Sequence, residues 1–185
     1  NECKSIYSIA RFDFAPPHDA QYSSKVFLGG VPWDMTNDDM LGVFGRFGVI
    51  RVLRPGIDVH LSRLSRGPER AGYLYLIFSS ASQVFQLIES CKLELSANGF
   101  RYFFTLTSQR FKQEKRVQVI PWNISDAKWP PEMTSLPSFI DHTRTVFLGA
   151  LHGMMSAASL AKALNLFGPV ECVWLDVDEY KYPKG

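Results

Sequence analysis

The chain has 185 residues, 46% of them hydrophobic and 21% charged, with a net charge of +2. That is enough apolar material for one large or two small packed domains, and it excludes a broadly disordered chain. So mild a basic excess neither demands nor opposes a nucleic-acid partner, and no apolar run approaches the roughly 18 residues of a membrane span.

Residues 1–24 form an N-terminal extension in which Phe12 and Phe14 precede a breaking Ala15-Pro16-Pro17. A docked segment and a loose tail both fit, and the cost of leaving two phenylalanines in water favours docking. No basic region followed by an apolar one opens the chain, so no secretory signal is expected. The three cysteines, Cys3, Cys91 and Cys172, form no Cys-x-x-Cys pair and read as free thiols of a reducing compartment.

Lys25-Val26-Phe27-Leu28-Gly29-Gly30 is a short strand, with Val26 and Leu28 on one side and Phe27 on the other. Thr36 is a helix N-cap with Asp38 and Asp39 in the first turn. Met40, Leu41, Phe44 and Phe47 recur at helical spacing, and Gly48 stops the helix. Val49 to Arg54 is a second strand. A long loop from Pro55 to Glu69 follows, and Arg54, Arg63, Arg66 and Arg70 in or beside it suit either plain solvation or phosphate contact.

Arg70 to Phe78 is the third strand. Leu74, Leu76 and Phe78 belong to a core, while Tyr73, Tyr75 and Ile77 share the other face. Two tyrosines on an open sheet make a stacking platform for unpaired bases, although a strand buried on both faces also uses Tyr as filler. Ser80 or Ser82 caps a second helix that buries Val84, Phe85, Leu87 and Ile88. Arg101 to Thr107 and Lys115 to Ile120 are two further strands, with Val117 and Val119 inward and Gln118 and Ile120 on the tyrosine face.

Residues 123–142, with Pro130-Pro131 and Pro137, read as a linker. The pattern then restarts: Thr145-Val146-Phe147-Leu148-Gly149-Ala150 aligns with Lys25 to Gly30. At the same offset Met155 matches Met35, Ser156 matches Thr36, Leu160 matches Met40, and Phe167-Gly168 matches Phe47-Gly48. This is an internal domain repeat. Val170 to Val177 supplies its second strand, and no later elements of the repeat follow.

The two strands at 25–30 and 71–78 resemble the hexamer and octamer of the RNA recognition motif (RRM). Phe27 matches the hexamer aromatic, and Gly72, Tyr73, Tyr75 and Phe78 match the octamer. Ala71 stands where the family usually has Lys or Arg, with Arg70 one place upstream. The resemblance implies an α+β, ferredoxin-like fold of order βαββαβ. It has a four-stranded antiparallel sheet and two helices, here with an extra strand before the last. The first RRM would span 25–122, and the first half of a second would span 143–185. In an RRM the first strand lies between the third and fourth, so 143–185 cannot make a continuous sheet alone. It docks on the first RRM or on another chain, or is only marginally ordered.

The strings V-F-L-G-G-V-P-W-D, G-Y-L-Y-L-I-F, V-Q-V-I-P-W, R-T-V-F-L-G-A-L-H-G-M and K-Y-P-K-G are similar to the tandem RRMs of the cytoplasmic polyadenylation element binding proteins. That resemblance implies binding to U-rich elements in mRNA 3′ untranslated regions. The implied output is control of poly(A) tail length and translation, in the cytoplasm with nuclear shuttling open. Its protein partners would be translational-control and polyadenylation proteins. The family carries a complete second RRM and a zinc-binding domain, so this chain is expected to bind RNA more weakly than the whole protein. No cofactor, metal or membrane is implied for it.

Phe27, Tyr73 and Tyr75 are expected to stack on bases, and Gln118, Ile120 and the last-strand backbone to read base edges. Lys25, Arg70 and Arg116 are expected to meet phosphates or edges. Trp122 would extend the platform or pack as a lid, and Phe147 would be the second RRM's platform residue. The rival reading is an RRM used as a protein-interaction module. An enzyme on this fold is not expected: His18, His60, His142 and His152 have no partners at ligand or triad spacing. Asp176, Asp178 and Glu179 read as a solvated turn, and Gly29-Gly30 lacks the Gly-Lys-Ser/Thr of a phosphate loop.

Overall fold

A computed structural model of the chain describes residues 21–54, 72–96, 99–138, 140–151 and 155–184. Phe12, Phe14, Arg63, Arg66, Arg70, Cys3, His18, His60 and His152 lie outside the described residues.

Strand β1 (Lys25–Gly29) leads to helix α1 (Asn37–Phe44), then β2 (Val49–Leu53), β3 (Tyr73–Phe78) and helix α2 (Ser82–Glu89). Next come β4 (Lys92–Ser96), β5 (Gly99–Thr107) and β6 (Glu114–Ile120). All six strands form one sheet in the order β2-β3-β1-β6-β5-β4. The four-stranded RRM sheet is therefore present, with β1 between β3 and the last strand as expected. The addition is larger than foreseen: β4 joins the expected β5, so a hairpin rather than one strand extends the sheet. Lys92-Leu93-Glu94-Leu95 alternates polar and apolar but directly follows a helix, which hid the strand.

Helix α1 starts where the residues say it must. The Thr36 hydroxyl accepts from the Asp39 N–H while the Asp39 carboxylate accepts from the Thr36 N–H, a reciprocal capping box. A 3-10 turn (Gly45–Phe47) follows, and Gly48 reverses the chain at φ +88°, where a Cβ would lie 2.2 Å from the Gln83 side chain. Helix α2 corrects an expectation. Its cap position is Ala81, already helical and without a side-chain cap. Gln83 Oε1 takes the Ser80 N–H instead, 3.2 Å away.

The core lies between the sheet and the two helices. Val26, Leu28, Leu74, Leu76, Phe78, Val117 and Val119 meet Met40, Phe44, Val84, Leu87 and Ile88. Phe104 and Leu106 of β5 join them, so the added hairpin shares this core. Cys91 is free, and burial pushes its thiol up to about 12. Arg54 corrects a second expectation. It is buried, with Nε donating to Asn37 Oδ1 and Nη2 to the Met35 carbonyl, both at 2.7 Å. Its guanidinium ties the end of β2 to the start of α1 rather than serving a loop phosphate.

Within the expected linker, Ile124–Ala127 forms a 3-10 turn and Lys128–Trp129 a short strand β7, which pairs antiparallel with β8 (Val173–Trp174). Helix α3 (Ala157–Leu164) follows the repeat pattern, with the Ser156 hydroxyl accepting from the Ser159 N–H as its cap. The second hexamer forms no strand: Val146 is 75% and Phe147 93% exposed, whereas Val26 is fully buried. The sheet neighbours that cover Val26 have no counterpart among the described residues of 143–184. Of the three fates open to this half-repeat, the structure shows docking on the first RRM.

Candidate nucleic-acid interface

Alternation along β1, β3 and β6 sends Val26, Leu28, Leu74, Leu76, Val117 and Val119 to the core. The same alternation leaves Phe27, Tyr73, Tyr75, Gln118 and Ile120 on the opposite, open face. Register holds them in line: Phe27 faces Tyr75 on one side and Ile120 on the other, and Gly29 faces Tyr73 and Gln118. The Phe27 ring leans along its own strand. A Cβ on Gly29 would sit 3.0 Å from Phe27 Cε1, so the glycine is what lets the ring lie over the backbone.

The ring therefore reaches Tyr73, with centroids 5.3 Å apart and planes 20° from parallel. Tyr75 meets Phe27 edge-on at 5.7 Å and 75°. Tyr73 is 37% exposed. A stacked, partly exposed aromatic pair on a sheet presents flat apolar area to another planar ring.

Lys25, Tyr75 and Trp122 meet the half-repeat. Lys25 Nζ lies 2.8 Å from Asp178 Oδ2, with the two side chains only 15% and 22% exposed, and sits 4.5 Å from the Tyr75 centroid and 5.0 Å from that of Tyr182. It is an interdomain ion pair here, not an open phosphate contact. Asp178 also accepts the Tyr180 and Tyr182 N–H groups, and the Ser23 hydroxyl donates to the Tyr180 carbonyl at 2.6 Å. Asp178 of the expected solvated turn thus forms a clasp, while Asp176 and Glu179 are exposed.

The Tyr182 ring packs edge-on against Tyr75 at 5.5 Å and tilted against Trp122 at 6.2 Å. Trp122 is 6% exposed, within a cluster of Ala157, Leu160, Leu175 and Tyr182. Of the two roles open to it, platform residue or packed lid, the structure shows a packed ring in the interdomain core. Burial raises the hydroxyl pKa of both Tyr75 and Tyr182, so both stay neutral.

Arg116 Nη2 lies 2.7 Å from Glu94 Oε2, and its guanidinium sits 4.3 Å from the Phe103 ring centroid. That contact holds the Glu94 carboxyl below the ordinary carboxylate range. Phe147 is open to solvent but lies on no strand, and its ring leans over Gly149 as Phe27 does over Gly29. Missed from sequence were Phe103, Glu94, Asp178 and Tyr182. The alternation of Tyr102, Phe104 and Leu106 against Arg101, Phe103 and Thr105 was a usable signal for the first; the other contacts join distant parts of the chain and leave no local trace.

No helix among the described residues is long and apolar enough to cross a membrane, and no group of His, Cys, Asp and Glu among them suits a metal ion. Residues 23–121 match the RNA recognition motif model. The chain is 39% identical over 196 aligned residues to cytoplasmic polyadenylation element-binding protein 3 of Caenorhabditis elegans, covering 94% of this chain and 26% of that protein. It is 42% identical over 178 residues to cytoplasmic polyadenylation element-binding protein 1 of Danio rerio, covering 92% of this chain and 31% of that one. The chain thus spans between a quarter and a third of the curated relatives it matches.

A solved RNA 3′ processing ternary complex, described as one in which interdomain RRM packing contributes to RNA recognition, aligns at a TM-score of 0.31 and 19% identity over 57% of this chain and 51% of that one. The resemblance to the polyadenylation element binding proteins read from the strings at 26–34, 72–78 and 117–122 is borne out by these relatives. The matched model and the β2-β3-β1-β6 sheet with α1 and α2 behind it make this chain a member of the RNA recognition motif family.

Proposed function

We propose that the chain binds single-stranded RNA on the open face of its sheet, with U-rich elements of mRNA 3′ untranslated regions as the target. Its role would be in cytoplasmic control of polyadenylation and translation. The observation that carries this reading is the stacked Phe27–Tyr73 pair, partly exposed beside Gln118 and Ile120. Phe27 and Tyr73 stack on bases, and Tyr75 supports them from its place under Tyr182. The Gln118 amide and the β6 backbone supply the donors and acceptors that a neutral uracil edge needs. Arg70 and Arg116 supply positive charge, and Phe147 holds the matching position in the repeat. The one-domain arrangement 25–122, joined through 123–142 to the half-repeat 143–185, is part of the same proposal.

The rival reading is a sheet that binds protein. One observation favours it: the Tyr75 end of the face already holds polypeptide, through Tyr182 and Asp178. Titration with a short U-rich RNA and a matched C-rich one, beside Tyr73→Ala, separates the two. The expected result is preference for the U-rich RNA and a loss of about 1–3 kcal/mol on substitution. Equal affinity of wild type and Tyr73→Ala would leave the sheet to a protein partner.

A further inference from the structure

The two strands that the RRM pattern does not require continue the open face instead of ending it. Reading across the sheet, Tyr73 faces Gly29, Gly29 faces Gln118, Gln118 faces Phe103, and Phe103 faces Lys92. Residues directly opposite share a face, so these five lie in one row. The Phe27 ring lies over Gly29 in that row. The row therefore has two aromatic stations, Phe27–Tyr73 and Phe103, with the Gln118 amide between them. Gly29 and Phe103 are two strand spacings apart, about 10 Å.

The second station is not a bare ring. The Arg116 guanidinium lies 4.3 Å from the Phe103 centroid, and the Glu94 carboxylate holds it there at 2.7 Å. A guanidinium held over a phenyl ring offers a planar group on which a base can stack. The next row pairs Phe27 with Ile120 and Glu94 with Arg101. On this part of the face Lys92, Arg101 and Arg116 stand against the carboxylates of Glu94 and Glu114 among the described residues, which leaves one positive charge in excess. The Lys25 end of the face is occupied by the Tyr182 and Asp178 clasp, whereas Lys92, Arg101 and Arg116 on the β6-β5-β4 side are exposed to a ligand leaving Phe27.

We infer that β4 and β5 carry an additional nucleotide subsite, in which a base stacks on the Phe103–Arg116 pair and its phosphate meets Arg101 and Lys92. Arg116 is then a stacking plane rather than a phosphate contact, and Glu94 is its positioning residue. The inference rests on the RNA reading above, and its occupant is the RNA strand that already crosses Phe27 and Tyr73.

The test titrates the full chain with U-rich oligonucleotides lengthened one residue at a time, comparing wild type, Tyr73→Ala, Phe103→Leu, Arg116→Lys and Arg101→Gln. Thermal unfolding identifies any variant that fails to fold, and the exposed Arg101 supplies a variant that does not touch the core. Wild type is expected to gain about ten-fold in affinity at one step of the series. Phe103→Leu and Arg116→Lys should both lose that gain, although the lysine keeps the charge. Arg101→Gln should lower the dependence of log affinity on log salt by about one. If both substitutions keep the step while Tyr73→Ala weakens every length, the subsite is overturned and the platform stands. Loss in Phe103→Leu but not in Arg116→Lys overturns the role of the guanidinium plane. Binding untouched by Tyr73→Ala overturns the platform reading itself.

Discussion

Asp34 shows how a single side chain fixes the edge of the sheet. Its carboxylate accepts the Ser108 hydroxyl and the Arg110 N–H, both at 2.7 Å, and so ties the loop after β1 to the turn between β5 and β6. The Arg110 N–H first, then the Ser108 hydroxyl, hold its pKa below the ordinary value. A carboxyl whose folded pKa is depressed stabilises the fold at neutral pH, and the contribution fades as pH falls through the folded value. Asp34→Asn should lower the unfolding temperature at pH 7, and the gap from wild type should close below about pH 4. Gap-free parallel curves from pH 7 to pH 3 would show that Asp34 contributes nothing through its charge. The same residue orders the turn that carries Phe111, whose ring meets Trp33 edge-on at 6.0 Å. Asp34 is near in sequence to none of these partners, so the sequence shows an acidic loop residue and no more.

At the scale of elements, the two halves of the repeat are a controlled comparison. Thr36 and Ser156 both cap a helix through a hydroxyl that accepts an N–H three residues on. Helix starts depend on three or four consecutive residues, which is why both were readable. Thr36→Ala should cost about 1 kcal/mol in urea unfolding, since it removes the cap and frees Asp39. A change within experimental error would mean that tertiary packing alone sets where α1 begins. The hexamers behave oppositely. Lys25 to Gly29 pairs with β3 and β6, whereas Thr145 to Gly149 has the same pattern and no strand partner. A strand is a property of pairing, so its sequence states only the capacity to form one. Lys92–Ser96 makes the converse point: it became a strand because Gly99–Thr107 lies beside it.

Across the whole molecule, the half-repeat is held on the first RRM by an ion pair and tyrosine contacts, and on the segment after that domain by the two-strand ladder of β7 and β8. Asp178 crosses the contact through Lys25, and the two tyrosine amides of its own turn hold its carboxylate in place. Asp178→Asn should cost about 1–3 kcal/mol of docking. Hydrogen exchange at the Tyr180 and Tyr182 amides should then quicken by roughly ten-fold or more, with core amides of β1 and β6 unchanged. Exchange as fast in wild type as in the variant would mean that the clasp does not persist in solution. Read alone, the chain determined the strands at 25–29 and 73–78, their inward and outward residues, the cap at Thr36, the repeat and the family, because each depends on short-range periodicity or on a local string. Only the tertiary structure decided that Lys25 and Trp122 belong to an interdomain contact, that Arg54 is a buried tether, and that the open face extends to Phe103. Those outcomes depend on which distant segment comes to lie against a residue, and neither its identity nor its neighbours encode that.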